Sequence, residues 1–215
     1  MSHKPLLVQC DFDGTLTVGD ISFLILDEFT GKLWRQELAD YLQGKVTVNR
    51  FNSRAFARLK ADRAELIHFV RTNSVVRPGF QELLETCCEK NFRFVIVSNG
   101  MAFYIETILE MQGVPDIEFI AGRGEFSPQG MKSWYPGPDG QPIEDGFKVA
   151  WTEHFLEQGY RLIYAGNGIS DFAPACRCER IFAIDSLAEE CRKAGVEYIP
   201  FADLHDIARA LREVN

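Results

Sequence analysis

The sequence predicts an α/β fold in which helices flank an open parallel sheet and a small helical cap is inserted after the first strand. Three observations support this prediction. Short apolar runs alternate with amphipathic stretches of helical length. The runs are apolar almost throughout, as in strands that are covered on both faces. About 60 residues after the first run contain no convincing strand, and a chain of 215 residues has room for one domain with such an insertion.

The predicted strands are short, and crossover helices fill the intervals between them. The first strand is Leu6–Cys10, and the others span residues 92–97, 161–165, 180–184 and 197–199. Helices are predicted over residues 79–90, 102–112, 148–158, 187–194 and 204–214. Residues 118–146 are rich in Gly and Pro and predict a short strand pair followed by a long loop, a feature that is usually functional or mobile in compact domains.

The insertion predicts three helices, over residues 21–43, 48–60 and 63–72. Pro78 stands where the first turn of a helix tolerates proline, which supports a return to the core at this point. We therefore expect residues 1–16 and 78–215 to form an α/β core domain and residues 17–77 to form a helical cap domain.

The charge balance limits the partners of the protein. A net charge of −8 disfavours nucleic acid and anionic membranes as partners. A small anionic substrate must then be attracted by a metal ion or by particular Lys or Arg side chains. The six cysteines lack the spacing of zinc ligands and are expected to be free, buried thiols. Because no signal pattern or long apolar stretch is found, we expect a cytoplasmic protein, either a monomer or a homodimer.

Polar residues follow three of the predicted strands. Asp11–Thr15 come after the first strand, Ser98, Asn99 and Gly100 after the second, and residues 166–171 after the third. Ligands of open α/β sheets bind beyond the carboxyl ends of the strands, so these residues are expected to share one crevice. Lys148 begins the helix between the second and third groups and is expected to reach the same place, although Lys132 is an alternative.

These residue types suit the chemistry of a phosphate ester. Asp11 and Asp13, with Asp171 behind them, provide oxygen ligands for a hard cation such as Mg²⁺. A carboxylate that approaches a phosphate oxyanion is repelled by ~4 kcal/mol per pair of unit charges at 4 Å and an effective dielectric of about 20. The cation and Lys148 offset this repulsion, while Ser98 and backbone N–H groups hold the phosphate oxygens. One aspartate then acts as the nucleophile and its neighbour as general acid and base.

The motifs resemble a known superfamily. Asp11-Phe-Asp-Gly-Thr, Ser98, Lys148 and Gly166-Asn-Gly-Ile-Ser-Asp, in that order, are similar to the haloacid-dehalogenase superfamily of aspartate-nucleophile phosphatases. Helices inserted after the first motif resemble the branch that contains phosphoserine phosphatase. Within that branch, the segments Arg77-Pro-Gly-Phe and Val97-Ser-Asn-Gly-Met resemble the methionine-salvage phosphatases.

The resemblance implies roles for the core residues. It makes Asp11 the nucleophile and Asp13 the acid and base, with both also binding Mg²⁺, the latter through its main-chain carbonyl. It places Asn167 and Asp171 on the metal. The phosphate ligands that it implies are Ser98, Asn99, Gly100 and Lys148. Asn167 departs from the family pattern, which usually has aspartate there, so one negative charge is missing from the metal site.

The resemblance also implies roles for cap residues. Asp20 corresponds to a residue that meets the substrate amine in phosphoserine phosphatase, and Arg58 to one that meets the substrate carboxylate. Arg54, on the same helix face, competes with Arg58. The alternative for all three is a solvated charge on a helix face. Trp134 and Tyr135 either line the pocket or pack on the core.

The predicted function is that of a Mg²⁺-dependent phosphatase that hydrolyses the phosphomonoester of a small metabolite through an aspartyl-phosphate. The substrate is phosphoserine or a sugar-derived phosphate of methionine salvage. Two alternatives stay open. One is a binding or regulatory protein with weakened turnover, which Asn167 suggests; the other is dehalogenation on the same fold, which Asp13 disfavours.

Overall fold

The computed structural model describes residues 4–214, which form one seven-stranded sheet and ten α-helices. The strands are β1 (Leu6–Cys10), β2 (Arg93–Met101), β3 (Phe119–Ser127), β4 (Gly130–Trp134), β5 (Arg161–Gly166), β6 (Arg180–Ala183) and β7 (Ile199–Pro200). Their order in the sheet is β4-β3-β2-β1-β5-β6-β7. All neighbours are parallel except the β3–β4 pair. The predicted α/β fold with a largely parallel sheet is confirmed.

The middle of the sheet is the strand that carries the first motif. All five residues of β1 are buried, because β2 and β5 pair with it on either side and helices cover its faces. In this register Cys10 lies opposite Ile96 and Ala165. The residues that follow β1, β2 and β5 therefore emerge at the same edge of the sheet.

The helices include four that lie between β1 and β2 in the region of the predicted cap. These four are α1 (Ile21–Thr30), α2 (Arg35–Leu42), α3 (Val48–Phe56) and α4 (Arg63–Asn73). The others are α5 (Phe80–Glu89), α6 (Ala102–Met111), α7 (Phe147–Glu157), α8 (Phe172–Ala175), α9 (Asp185–Ala194) and α10 (Leu204–Arg212). A short 3₁₀ turn, Ile169–Asp171, precedes α8.

The prediction of one helix over residues 21–43 is wrong. Gly31 has φ 61° and Lys32 has φ 66°, both in the left-handed region. A left-handed residue ends a helix because the hydrogen-bond ladder does not continue through it. The segment therefore turns after Thr30, and α2 starts in a new direction at Arg35.

The two connections between the sheet and α1–α4 run side by side. Thr17 forms an antiparallel bridge with Val76, and the Arg77 N–H donates to the Leu16 carbonyl at 2.8 Å. The Arg77 guanidinium also donates to the Gly14 and Thr15 carbonyls, at 2.7 and 2.8 Å. We propose that these paired connections mark the boundary of the cap.

The predicted strand pair is the β3–β4 hairpin, which supports α3. At Gly130 the backbone has φ 135°, and a Cβ there would lie 1.9 Å from the Ala57 carbonyl oxygen just after α3. Only glycine permits this approach. Residues 135–146 then form the predicted loop that leads into α7.

Two further features bear on the sequence predictions. All six cysteines are free, but Cys88 and Cys176 are exposed rather than buried as predicted. Among residues 4–214, we find no helix of the length and apolarity that a membrane span requires.

Candidate active site

The carboxyl ends of β1, β2 and β5 border a cavity of about 320 Å³ that α1–α3 cover. The sequence-predicted residues that line it are Asp11, Asp13, Asp20, Ser98, Asn99, Gly100, Lys148 and Asn167. The structure thus brings together residues that are far apart in the chain. Asp185 and Ser186, which follow β6 at the same sheet edge and which sequence reasoning missed, also contribute to the lining.

Lys148 lies between two buried carboxylates. Its Nζ is 2.6 Å from Asp11 Oδ1 and 2.6 Å from Asp171 Oδ1. Burial and the charge of Asp171 raise the pKa of Asp11 to about 8, although Lys148 opposes the shift. Burial alone lowers the pKa of Lys148, but the two carboxylates outweigh it and hold that pKa above its usual value. Lys148 therefore stays charged. Lys132, the alternative, is exposed on β4.

Asp171 uses all of its acceptor positions inside the protein. Its Oδ1 accepts from Lys148 Nζ at 2.6 Å and from the Tyr164 hydroxyl at 2.7 Å. Its Oδ2 accepts from the backbone N–H groups of Asn167 and Gly168, at 3.1 and 2.8 Å. A carboxylate has about four acceptor sites, so no lone pair of Asp171 is left for the predicted direct contact with a metal ion. In the structure this side chain positions Lys148 and the turn after β5.

Asp13 accepts hydrogen bonds from the start of α1 and from Tyr104 on α6. The Ile21 N–H donates to Oδ1 at 2.8 Å, and the Tyr104 hydroxyl donates to Oδ2 at 2.5 Å. Burial raises the pKa of Asp13 to about 6, while these two hydrogen bonds oppose the shift. A carboxyl group with this pKa is suited to both giving and taking a proton near neutral pH. Tyr104, on α6, was not predicted from the sequence.

The last residues of β2, from Ser98 to Met101, form an irregular turn that faces both the cavity and the helices above it, so Ser98, Asn99 and Gly100 lie within the strand and not after it as predicted. Pairing with β3 shifts register between Ser98 and Met101, which frees the intervening backbone from the regular ladder. The Gly100 N–H donates to Ser98 Oγ at 2.9 Å, and Ser98 is buried at the cavity floor. Small residues at this point leave room for the oxygens of a ligand.

Asn99 anchors this turn to α3. Its side-chain amide donates to Asn49 Oδ1 at 2.8 Å. Its carbonyl accepts from Asn52 Nδ2 at 2.8 Å and from the Tyr135 hydroxyl at 2.6 Å. Tyr135 is therefore a buried link between this turn and α3, and neither Tyr135 nor Trp134 lines the cavity.

Asn167 lies against the first motif. Its Oδ1 accepts from the Thr15 hydroxyl at 3.1 Å. Gly14 has φ 76°, and a Cβ there would lie 2.2 Å from Asn167 Nδ2. The amide of residue 167 and the backbone of the first motif therefore pack without a gap, which only glycine at residue 14 allows.

The donors that face the cavity are oxygen atoms. The candidate donors belong to Asp11, Asp13 and Asn167, which line the cavity, and the Asn167 amide oxygen also accepts from the Thr15 hydroxyl. Oxygen donors of this mixture suit a hard divalent cation such as Mg²⁺. Among residues 4–214, no three Asp, Glu, His or Cys side chains gather as a metal-binding group. A bound cation would therefore depend on the carbonyl and the amide as much as on Asp11.

The wall opposite the carboxylates is apolar. It consists of Phe23, Leu38, Tyr41, Leu42, Val48 and Phe51 from α1, α2 and α3. The Tyr41 ring stacks on Phe51, with centroids 5.8 Å apart and an interplanar angle of 10°. Sequence reasoning missed this wall, because apolar residues of a helix are equally typical of a core.

Of the three predicted specificity residues, Asp20 lines the cavity, whereas Arg54 and Arg58 do not. Asp20 lines the cavity, but it also accepts from the Phe23 N–H at 2.8 Å and begins α1. Burial, and then the charge of Asp13, raise the pKa of Asp20. Arg58 lies outside the cavity and pairs with Glu37 of α2. Arg54 is exposed and does not line it either. Among residues 4–214, Lys148 is the only cationic side chain in the lining.

The chain belongs to the haloacid dehalogenase-like hydrolase family, since the model of that family matches residues 8–175. This confirms the resemblance found in the motifs.

The chain is similar over nearly its whole length to two bacterial enzymes named 2-hydroxy-3-keto-5-methylthiopentenyl-1-phosphate phosphatase. The Brevibacillus brevis enzyme is 26% identical, with 98% of this chain and 97% of that protein covered. The Geobacillus kaustophilus enzyme is 27% identical, with the same coverage. Among solved structures, phosphoserine phosphatase from T. onnurineus has the same fold, with a TM-score of 0.72, 20% identity, and 100% of this chain and 99% of that chain covered.

Proposed function

We propose that the protein is a Mg²⁺-dependent phosphatase that hydrolyses a small phosphomonoester through an aspartyl-phosphate on Asp11. The observation that carries the proposal is the placement of Asp11 in the cavity, with Lys148 Nζ at 2.6 Å from one of its oxygens. We expect this ammonium to bind a phosphate oxygen of the substrate as well. The charge repulsion between nucleophile and substrate is reduced at that point.

The reaction then takes two steps. Asp11 attacks phosphorus with its second carboxylate oxygen, the bond from phosphorus to the ester oxygen breaks, and Asp13 gives its proton to the leaving alcohol. In the second step Asp13 takes a proton from water, the water oxygen bonds to phosphorus, and the bond to Asp11 breaks. Inorganic phosphate leaves and both carboxyl groups return to their first state.

The Ser98 hydroxyl, which accepts from the Gly100 N–H and keeps its own proton to donate, holds a phosphate oxygen, and Asp171 keeps Lys148 in place. The residues that would hold Mg²⁺ are Asp11, Asp13 through its carbonyl, and Asn167. When bound, the cation supplies positive charge that neutralises the phosphate oxyanions and helps to orient them.

The apolar wall favours a substrate with an apolar tail. A phosphoserine molecule carries a carboxylate that needs a cation of its own, and Arg54 and Arg58 lie outside the cavity. A methylthio-pentenyl tail needs only apolar contacts, which Phe23, Leu38 and Phe51 offer. We therefore propose 2-hydroxy-3-keto-5-methylthiopentenyl-1-phosphate, the substrate in the names of the two bacterial relatives, over phosphoserine. The six free thiols support a reducing, cytoplasmic compartment.

The test is phosphate release from this ester, from phosphoserine and from 4-nitrophenyl phosphate, with Mg²⁺ and after chelation. We expect the methylthiopentenyl ester to have the highest kcat/KM, chelation to abolish turnover, and Asp11→Asn to be inactive. Asp116→Asn, which makes the same charge change at an exposed position before β3, serves as the control and keeps full activity. An active Asp11→Asn enzyme would refute the mechanism. A preference for phosphoserine would refute only the substrate assignment.

A second candidate is a binding or regulatory protein with weakened turnover, which the uncharged Asn167 favours. The variant Asn167→Asp restores a carboxylate at this position. A large gain in phosphate release would support the weakened protein, and an unchanged rate would support a competent enzyme.

A further inference from the structure

We infer that Tyr104 is a positioning residue that aims the carboxyl group of Asp13 at the leaving-group oxygen and makes that aim depend on a docked cap. The inference rests on the proposed function, because it needs Asp13 as the proton donor. Tyr104 itself does not line the cavity, so it acts through Asp13 rather than on the substrate.

The first support is the set of hydrogen bonds around Asp13. The Tyr104 hydroxyl donates to Oδ2 at 2.5 Å, while the Ile21 N–H donates to Oδ1 at 2.8 Å. Two donors on the two oxygens fix the plane of the carboxyl group. The residue held in this way still lines the cavity.

The second support is the packing of the tyrosine. Tyr104 is fully buried, and its ring packs against Phe103 at 5.4 Å and Phe12 at 6.2 Å between centroids. The hydroxyl fits only because residue 100 is glycine, since a Cβ there would lie 1.8 Å from the hydroxyl oxygen. The hydroxyl therefore has one direction available, and that direction is towards Asp13.

The third support is that the remaining hydrogen-bond partners of Asp13 and Tyr104 come from helix α1. Ser22, in the first turn of α1, donates its hydroxyl proton to the Tyr104 oxygen at 2.7 Å, because the tyrosine proton is engaged with Asp13. Ile21 begins the same helix. Asp13 and Tyr104 belong to the proposed core, whereas Ile21 and Ser22 belong to the proposed cap. Movement of α1 away from the sheet breaks both links, so Asp13 is aligned only when the cavity is covered.

The first chemical step predicts that misalignment of Asp13 slows some substrates more than others, according to their leaving groups. When the bond from phosphorus to the ester oxygen breaks, the proton of Asp13 passes to that oxygen, and Asp13 is left as a carboxylate. An alkoxide leaves poorly and needs this proton, whereas 4-nitrophenolate leaves without it. Misalignment of Asp13 must therefore slow benzyl phosphate much more than 4-nitrophenyl phosphate, although the two molecules are similar in size.

The experiment compares kcat/KM of Tyr104→Phe and of the unsubstituted enzyme on these two phosphates, since kcat/KM includes only the steps up to loss of the leaving group. We expect a loss of about 100-fold on benzyl phosphate, within the usual range for general acid catalysis, and an unchanged value on 4-nitrophenyl phosphate. Tyr198→Phe is the control, because its hydroxyl accepts from the exposed Arg192 side chain at 3.3 Å and Tyr198 does not line the cavity, so both values should stay unchanged.

Equal losses on the two substrates, or no loss on either, would overturn the inference and leave the proposed function intact. The proposed function fails separately, if Asp11→Asn keeps its activity. Ser22→Ala leaves the tyrosine in place. It should also lower kcat/KM for benzyl phosphate more than for 4-nitrophenyl phosphate, but by a smaller factor. It decides the question if Tyr104→Phe does not fold.

Discussion

Replacing Lys148 by methionine should destabilise the fold in addition to removing a phosphate ligand. Lys148 is 4% exposed and lies 2.6 Å from Asp11 and 2.6 Å from Asp171, both of which are buried. Methionine preserves most of the side-chain volume but leaves two buried carboxylates without their cation. Breaking a buried ion pair by removing one partner costs about 3–5 kcal/mol. In a chain of this length that corresponds to a fall in Tm of about 6–20 °C.

The loss should depend on pH in a defined direction. Burial raises the folded-state pKa of Asp11 to about 8 even with Lys148 present, and removal of the ammonium raises it further. The folded state therefore binds more protons than the unfolded state, where the pKa of aspartate is about 3.9. Between these two pKa values the folded protein holds this proton with or without Lys148, so the additional cost of the substitution grows only as pH rises through about 8, where Asp11 ionises if Lys148 is present. Lys148→Met should accordingly be closer in stability to the unsubstituted protein at about pH 6 than at about pH 9.

Urea unfolding followed by circular dichroism at these two pH values measures both effects. Lys193→Met is the matched control, because Lys193 is exposed and pairs with Glu190 at the surface, so its unfolding free energy should not change. A loss below about 1 kcal/mol that is equal at both pH values would refute the reasoning, since it would mean that the two carboxylates are solvated without Lys148.

Two further substitutions test the geometry of the site. Gly100→Ala places a Cβ 1.8 Å from the Tyr104 hydroxyl and 2.4 Å from Asp13 Oδ2. Because displacements of about 1 Å cost about 100-fold in rate, kcat/KM should fall by that order, and an unchanged value would contradict the packing described above. Arg58→Ala removes the partner of Glu37 outside the cavity, so KM for every phosphate ester should stay unchanged while Tm falls slightly. A raised KM confined to phosphoserine would show instead that Arg58 reaches the substrate.

The fold and the centre of the site are accessible from the sequence because their signals are local. The apolar run that ends at Cys10 is followed directly by Asp11 and Asp13, so strand and chemistry are found together. The same holds for Ser98 near the end of β2 and for Asn167 after β5. In a parallel sheet such ends lie at one edge, which is why three separate motifs predicted one cavity.

The two tyrosines whose hydroxyls bind Asp13 and Asp171 have no comparable local pattern in the sequence. Tyr104 lies within a helix of apolar residues and Tyr164 within a buried strand, where an aromatic residue is typical of a core. The general tendency of a buried tyrosine to find a hydrogen-bond partner is the one indication that was available, and it does not say which partner. Arg58 shows the same limit, because Glu37 comes from a different helix whose direction depends on the turn at Gly31.

The sequence by itself determined which groups are present for the reaction and the order in which strands deliver them. Only the tertiary structure decided how each carboxylate is used. Asp171 has the same side chain as Asp11, yet its four acceptor positions are filled by Lys148, Tyr164 and two backbone N–H groups. The physical reason is that hydrogen-bond capacity is limited and is taken up by whichever donors the packing brings near. Asp11 keeps an oxygen for the substrate because fewer donors surround it.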